Sequence, residues 1–281
     1  MRDRREEIGR LADRILQNNL SFSELETQVS RGDTDFLRLD AEQNAVRCLR
    51  IRDIVLQRHA SPARSPGRPL TVLETGIGYG YVTTCLRESL GDSIAMYALE
   101  HPRREYIERP AFQEYLAEER IQLQARDLLA DEVPWGELAF DVIIFSEVLE
   151  HIPPTAAPDL IRRLARRLAP EGRLVMTSPN LHSLHRRINF ALGRGRLFDL
   201  ATPLEFAPGT YGHIMIYGRP ELSALLDDAG LRLSSFGYLN WEHIYLRGSG
   251  FESKALHWAQ KHLPILMPQL STTWIAVAAA H

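Results

Sequence analysis

The sequence predicts an α/β fold in which a mostly parallel sheet is covered by helices on both faces. Short apolar strands alternate regularly with helix-length amphipathic segments from about residue 69 onward. The turn between the first strand and the first helix of that region is rich in glycine. The preceding stretch is helical in pattern and is set off by Ser61-Pro62-Ala63-Arg64-Ser65-Pro66-Gly67-Arg68-Pro69, a linker by composition. Strand–helix alternation of this kind closes into a sheet with right-handed helical crossovers.

Taken in order, Ile8, Leu11 and Ile15 recur at helical spacing, as do Ala45, Cys48, Ile51 and Val55, so residues 1–60 read as helices. Strands are expected at Thr71–Thr75, Ser93–Leu99, Ile121–Arg126, Asp141–Ser146 and Arg173–Ser178, each short, apolar or alternating, and bounded by polar or Gly/Pro residues. Helices are expected between them at Tyr81–Leu90, Arg103–Glu119 and Pro158–Leu168. Two further strands, Leu231–Leu239 and Thr272–Ala280, follow with helices near Pro220–Ala229 and Glu252–His262. Residues 181–219 form a long connection after the fifth strand, rich in Gly, Arg, Tyr and His; such connections are often lids or substrate loops. No internal repeat or low-complexity tract is present.

Composition bounds the function. The 281 residues are 44% hydrophobic and 25% charged, an ordinary globular balance. With 33 Lys plus Arg against 36 Asp plus Glu, the net charge of -3 weighs against a protein dedicated to coating nucleic acid. Cys48 and Cys85 show no metal-ligand spacing, which fits a reducing compartment. The charged start MRDRREEIGR has no apolar core of a secretory signal, and no apolar run is long enough to span a bilayer as a helix, so a cytoplasmic location is expected.

The chemistry is expected at the C-terminal ends of the strands, where open parallel sheets place their ligands. The first strand ends in Val72-Leu73-Glu74-Thr75-Gly76-Ile77-Gly78-Tyr79-Gly80. Glycines at this turn leave backbone N–H groups at a helix N-terminus open to close approach by a ligand. Dinucleotide enzymes carry G-x-G-x-x-G; here the third glycine comes one residue early, at Gly80, and Tyr81 follows. The second strand ends in Leu99-Glu100-His101, where a carboxylate can accept both hydroxyls of a ribose. The third leads to Asp127-Leu128, an acid placed to face an adenine amino group, and the fourth ends in Phe145-Ser146-Glu147. The fifth follows Leu168-Ala169-Pro170-Glu171-Gly172.

The E-x-G-x-G-x-G turn, the ordered acids and the fifth-strand turn together resemble the motifs of class I S-adenosylmethionine-dependent methyltransferases over roughly residues 70–239. Glu74 stands where those enzymes usually have Asp, and Ile77 where Cys or Ser is common. The segment from Gly80 to Glu100 is also slightly long. The resemblance implies a Rossmann-like seven-stranded sheet with an antiparallel last strand. It implies a helical cap and linker over 1–68 and a catalytic domain over 69–281, with 181–219 as a substrate-side insertion. It further implies that Glu74, Gly76, Ile77, Gly78, Gly80, Glu100, His101, Asp127, Leu128 and Ser146 surround S-adenosylmethionine. The N-terminal helices, with Asp35-Phe36-Leu37-Arg38, are expected to cover it.

After the fourth strand the chain reads Glu147-Val148-Leu149-Glu150-His151. If Glu147 opens a helical turn, Glu147, Glu150 and His151 share one face. Two carboxylates and an imidazole make a divalent-metal site (Mg, Mn or Fe), with His213 as a fourth candidate ligand. This pattern is similar to small-RNA 2′-O-methyltransferases and shares its core with ubiquinone-pathway O-methyltransferases. Without metal, His151 or His213 is the candidate general base. His182 and His185 read as surface residues of the insertion. Arg162-Arg163-Leu164-Ala165-Arg166-Arg167-Leu168 reads as the solvated face of a covering helix. His185-Arg186-Arg187 with Arg194 and Arg196 lies near the expected mouth of the site, where it either meets a phosphate, a sugar nucleotide or RNA or is a solvated loop. Trp135, Tyr211, Tyr217 and Trp241 are candidates either for stacking on a substrate or for packing. The expected activity is O-methylation of a hydroxyl on a small molecule or sugar. The alternatives are an RNA 2′-O-methyltransferase, a nicotinamide-dependent oxidoreductase and a non-catalytic binding module. The sequence fixes neither the acceptor nor the oligomeric state.

Overall fold

The computed structural model describes residues 2–22, 31–62, 67–193, 213–240 and 251–280. Tyr211, Trp241, Arg194 and Arg196, and the side chains of Asp35, Phe36 and Leu37, lie outside what is described. The strands are β1 (Leu70–Thr75), β2 (Ile94–Glu100), β3 (Ile121–Ala125), β4 (Phe140–Ser146), β5 (Leu168–Pro179), β6 (Leu231–Leu239) and β7 (Thr273–Ala280). They form one sheet in the order β3-β2-β1-β4-β5-β7-β6. β1, β2 and β3 pair in parallel, whereas β7 runs antiparallel to both β5 and β6. This is the Rossmann-like methyltransferase sheet that the sequence predicts. The chain divides within β4 into two compact units, Met1–Ile144 and Phe145–His281.

In the first unit, α1 (Arg2–Phe22) and α2 (Arg31–His59) precede the sheet. Leu11 and Ile15 of α1 and Ala45, Cys48, Ile51 and Val55 of α2 are all buried, so the apolar stripes read from sequence are core faces. α3 (Tyr81–Leu90) and α4 (Pro110–Glu118) follow β1 and β2. β1 is buried at every position and β4 at all but its last, as continuous apolar runs in a covered parallel sheet require. The exception in chemistry is Asp141, 1% exposed near the start of β4. Its carboxylate accepts the Thr71 N–H at 2.9 Å, the Thr71 hydroxyl at 2.8 Å and the Arg68 guanidinium at 2.8 Å. Arg58, also buried, reaches it at 3.4 Å. One acid thus ties α2, the linker and β1 to β4.

The expected helix over Arg103–Glu119 is two pieces, a 3-10 turn at Glu105–Glu108 and then α4. Pro110 is the reason. It forces its predecessor out of the helical region, and Arg109 sits at φ -73°, ψ 139°. Trp135 packs against Tyr97 and Phe140, at 5.2 and 6.1 Å between ring centroids, and serves the core.

The second unit contains α5 (Ala157–Ala165), α6 (Leu184–Ala191), α7 (Arg219–Asp228) and α8 (Phe251–Leu266). The arginine-rich α5 is not wholly solvated. Arg163 is 7% exposed and pairs with Asp159 one turn earlier at 2.9 Å, while Arg162 pairs with Asp228. β7 is buried except at its last residue, and the Trp274 indole N–H donates to the Tyr217 carbonyl at 3.0 Å. Among the described residues, no helix is long and apolar enough to cross a membrane.

Candidate active site

In the first unit, three alternate residues after β1 carry positive φ: Gly76 (71°), Gly78 (54°) and Gly80 (75°). Only glycine takes such angles without strain. At Gly80 a second constraint applies, because a Cβ would lie 2.3 Å from the Tyr115 hydroxyl oxygen. Around Gly78 the position of a Cβ is open space.

The turn does not present a row of open N–H groups, contrary to the expectation from sequence. Gly76 and Ile77 both donate to the Leu99 carbonyl, at 2.8 and 3.1 Å, and Gly80 donates to the Ile77 carbonyl at 3.0 Å. The turn is folded back on the end of β2, which satisfies its main chain internally. The Gly78 N–H at 2.9 Å instead holds Oε2 of Glu100.

Glu74 is 3% exposed and turned inward. It accepts the Thr83 hydroxyl at 2.5 Å and the Thr83 backbone N–H, and so caps the first turn of α3. Burial pushes its carboxyl up to about 8, against the opposing pull of Thr83 and the Arg47 charge. Glu74 therefore shapes the turn and offers no outward oxygen.

Glu100 is the acid at the mouth of the turn, 7% exposed. Besides the Gly78 bond, Oε2 accepts the Tyr106 hydroxyl at 2.7 Å, and Oε1 accepts the His101 N–H at 2.8 Å. Burial and the Glu100 charge both push the Tyr106 phenol above its usual range. The Tyr106 ring packs on Tyr79 and Phe112, at 4.9 and 5.1 Å. Phe22, at the end of α1, joins this cluster through Phe112 at 5.1 Å, and Asn18 donates to the Tyr79 carbonyl at 3.1 Å. The end of α1 is thus built onto the glycine turn. Arg38 is committed elsewhere, to Asp13 of α1 at 2.7 Å.

Past β3, Asp127 keeps its carboxylate 40% exposed. Oδ1 accepts the Leu129 N–H at 2.9 Å, an Asx turn, and Oδ2 lies 3.7 Å from Nε2 of His101. The His101 Nδ1 accepts the Arg103 N–H at 3.2 Å, which puts a neutral ring's proton on Nε2, towards Asp127. Leu128 is partly buried beside it.

In the second unit, Thr177 of β5 organises the end of β4. Its hydroxyl donates to Oε1 of Glu147 at 2.8 Å, its carbonyl accepts the Glu147 N–H at 2.9 Å, and Ser146 Oγ lies 2.8 Å from Thr177 Oγ1. A hydroxyl has one proton, so Ser146 donates to Thr177 and Thr177 to Glu147. Glu147 sits at φ 55°, a left-handed angle of the kind found in over-determined functional turns. It does not open the helical turn, which spans Leu149–His151. Glu147 consequently drops out of the expected four-residue cluster.

Glu150, His151 and His213 are brought together, with one ligand atom from each lying within 4.8 Å of the others. Glu150 is fully buried. Its carbonyl accepts the N–H groups of Ile214 and Met215, at 2.7 and 3.2 Å, and so pins the distant segment that carries His213. The two imidazoles stand edge to face at 5.1 Å. An N,N,O donor set of this kind suits an imidazole-loving divalent ion, provided the side chains draw in by rotation. Tyr217 is buried, and its phenol is pushed up to about 12 by burial.

A glycine turn answered by the acid ending the next strand, on a seven-stranded sheet with an antiparallel β7, defines a class I methyltransferase fold. The profile of a family described as "Methyltransferase domain" matches residues 41–235. The chain belongs to that family and is an S-adenosylmethionine-dependent methyltransferase. Its fold is similar to magnesium protoporphyrin IX methyltransferase from Synechocystis PCC 6803 with bound SAH (15% identity, TM-score 0.53, 90% of this chain and 89% of that one). It is similar also to a SAM dependent methyltransferase from Archaeoglobus fulgidus (16%, 0.51, 84% and 93%). A third is the pyocyanin biosynthetic protein PhzM (17%, 0.50), where 92% of this chain spans 61% of the other. No curated protein matches the chain in sequence.

Proposed function

We propose that the enzyme methylates a hydroxyl group on a small molecule or sugar. The observation that carries this reading is the grouping of Glu150, His151 and His213, which sets two imidazoles beside a buried carboxylate. Methyl transfer to a hydroxyl forms one C–O bond and breaks the C–S bond of the sulfonium. The bonding pair passes to sulfur, and the oxygen must lose its proton. A neutral imidazole titrates in the range suited to accepting that proton, which makes His151 the proposed base and His213 its partner. Most of the remaining acceleration comes from alignment of oxygen, carbon and sulfur, about 7–11 kcal/mol in favourable cases.

In the cofactor half, Glu100 takes the ribose hydroxyls, and the Tyr106 bond gives way to one of them. Asp127 and His101 face the adenine edge, with Leu128 against the ring. Ile77 and Gly78 line the approach to the methionine part. Glu74, Gly76 and Gly80 act by shaping the turn. The three donors of the second unit also fit a divalent cation, which would lower the pKa of a coordinated hydroxyl.

Calorimetric titration with S-adenosylhomocysteine tests the cofactor half. Glu100→Ala should weaken binding about 10–100-fold, the worth of one charge-assisted hydrogen bond. Unchanged affinity in a folded variant removes Glu100 from the site. Incubating cell extract with labelled methyl donor tests the acceptor half. Label in a hydroxyl-derived ether that is lost in His151→Ala supports the reading, and label on nitrogen or carbon refutes it. Loss of activity with a chelator, restored by one divalent ion, assigns the metal.

A further inference from the structure

Glu100 holds too many donors to take a ribose as it stands. A carboxylate offers about four acceptor sites. Three are filled: Oε2 accepts the Gly78 N–H at 2.9 Å and the Tyr106 hydroxyl at 2.7 Å, and Oε1 accepts the His101 N–H at 2.8 Å. A ribose that donates both of its hydroxyls needs two, so one of the present donors must leave. The main-chain donors are fixed. The His101 amide belongs to the next residue of the chain, and Gly78 lies in a turn whose Gly76 and Ile77 amides are both bonded to the Leu99 carbonyl. Tyr106 alone donates from a side chain.

The backbone around Tyr106 can release it. Tyr106 lies in the 3-10 turn Glu105–Glu108, between Arg104 and Arg109, which are extended at ψ 101° and 139°. No side chain caps the start of that turn. It is closed by the Ile107 and Arg109 amides, which donate to the Arg104 and Tyr106 carbonyls at 3.2 and 3.1 Å. Ile107, 3% exposed, anchors the turn in the core, whereas Tyr106 is only partly buried. Two links tie this turn to α1. The Arg109 guanidinium donates to the Phe22 carbonyl at 2.8 Å. The Tyr106 ring stands edge-on to Phe112 at 5.1 Å, and Phe22 packs on the same Phe112 ring at 5.1 Å. A movement of the turn is therefore felt at the end of α1.

We propose that Tyr106 is a gate on the cofactor site. Its hydroxyl stands in for one ribose hydroxyl on Glu100, and the nucleoside enters by displacing it, with the 3-10 turn swinging away and the end of α1 following. The inference rests on Glu100 taking the ribose. Only the state with the phenol withdrawn accepts a full diol, so the ligand shifts the turn by its differential affinity for that state. The bond given up is subtracted from the affinity that the ribose gains. A ligand with a single ribose hydroxyl fits beside all three protein donors and leaves the turn in place.

The test is calorimetric titration of the full chain with S-adenosylhomocysteine and with its 2′-deoxy analogue. Tyr106→Phe keeps the ring among Tyr79 and Phe112 and removes the competing donor. It should bind S-adenosylhomocysteine about tenfold or more tighter than the wild type, the worth of one hydrogen bond to a charged group. Its affinity for the 2′-deoxy analogue should match the wild type. Hydrogen exchange of the wild type gives a readout that needs no variant. With S-adenosylhomocysteine bound, the Ile107 and Arg109 amides and the last turn of α1 should exchange faster. Three results would each overturn the gate: unchanged or lower affinity for S-adenosylhomocysteine in Tyr106→Phe, equal tightening towards both ligands, or exchange that is unchanged or slowed through the turn and the end of α1. Glu100→Ala separates the gate from the reading beneath it. If that variant binds more weakly while Tyr106→Phe binds no tighter, the ribose site stands and the gate falls. If Glu100→Ala binds as the wild type does, the ribose reading falls and the gate falls with it.

Discussion

Each acid of the cofactor half owes its role to its neighbours. Glu74 and Glu100 end adjacent strands, yet one is sealed against Thr83 and the other is held at the mouth of the turn by the Gly78 N–H. Sequence order located both acids and did not distinguish their roles, because the difference lies in which way each side chain leaves its strand and what it meets there. Tyr106 and Thr177 carry no signal in the sequence for a related reason. Tyr106 sits in the charged run Arg103-Arg104-Glu105-Tyr106, and Thr177 in an apolar strand, so neither interrupts a pattern. The sealed position of Glu74 has a consequence in pH. Its carboxyl keeps its proton up to about 8 in the folded protein, against 4.5 for an ordinary exposed glutamate. Between those values the folded state binds more protons than the unfolded chain, so this group makes stability fall as pH rises through that window. Glu74→Gln removes the ionisation and keeps a hydrogen-bonding side chain for Thr83. The expected result is a melting temperature that declines less than that of the wild type from pH 4.5 towards pH 8. Parallel curves for the two proteins would show that Glu74 ionises freely.

Whole strands and helices were legible wherever local pattern and burial agree. α3 and β6 have the bounds read from sequence, Tyr81–Leu90 and Leu231–Leu239. The helix expected at Arg103–Glu119 failed because its apolar spacing outweighed Pro110, which alone decides the break. The Glu-x-x-Glu-His segment departed from expectation at its first residue, Glu147, while Glu150 and His151 do meet His213. A helical period through Glu147 assumed right-handed backbone, whereas Thr177 holds Glu147 at φ 55°. The glycine turn succeeded as a pattern, though its N–H groups serve β2. Its third glycine is the most demanding of the three, needing both φ 75° and room for Tyr115. Gly80→Ala should therefore destabilise the protein by about 2–5 kcal/mol, the sum of left-handed strain and overpacking. Gly78→Ala meets no atom and should cost only the strain, about 1–2 kcal/mol. Urea denaturation of the two variants checks the order, and equal costs would show that Tyr115 moves aside freely.

At the scale of the molecule, the sheet order follows from the crossovers, which the alternation of elements implied, and from the late antiparallel strand, which the resemblance to class I methyltransferases implied. The tether between the N-terminal helices and the sheet was not implied. Asp141 reads as the first residue of an expected strand, and nothing local marks it as the meeting point of Arg58, Arg68 and Thr71, seventy and more residues away. That tether makes α2 an integral part of the first unit, and it is asymmetric in its vulnerability. Asp141→Ala would leave Arg58 charged and buried with no carboxylate, and removing one partner of a buried pair costs about 3–5 kcal/mol. Asp141→Asn preserves a carbonyl acceptor for the Thr71 N–H and hydroxyl and should cost less. Arg68→Ala removes a half-exposed partner and should cost under about 1 kcal/mol. The expected ranking in urea is thus Ala at 141, then Asn at 141, then Ala at 68. Because the tether lies at the starts of β1 and β4, away from the glycine turn, affinity for S-adenosylhomocysteine at low temperature should stay near wild type in all three. A drop in affinity that parallels the loss of stability would mean instead that the tether and the cofactor turn unfold as one unit.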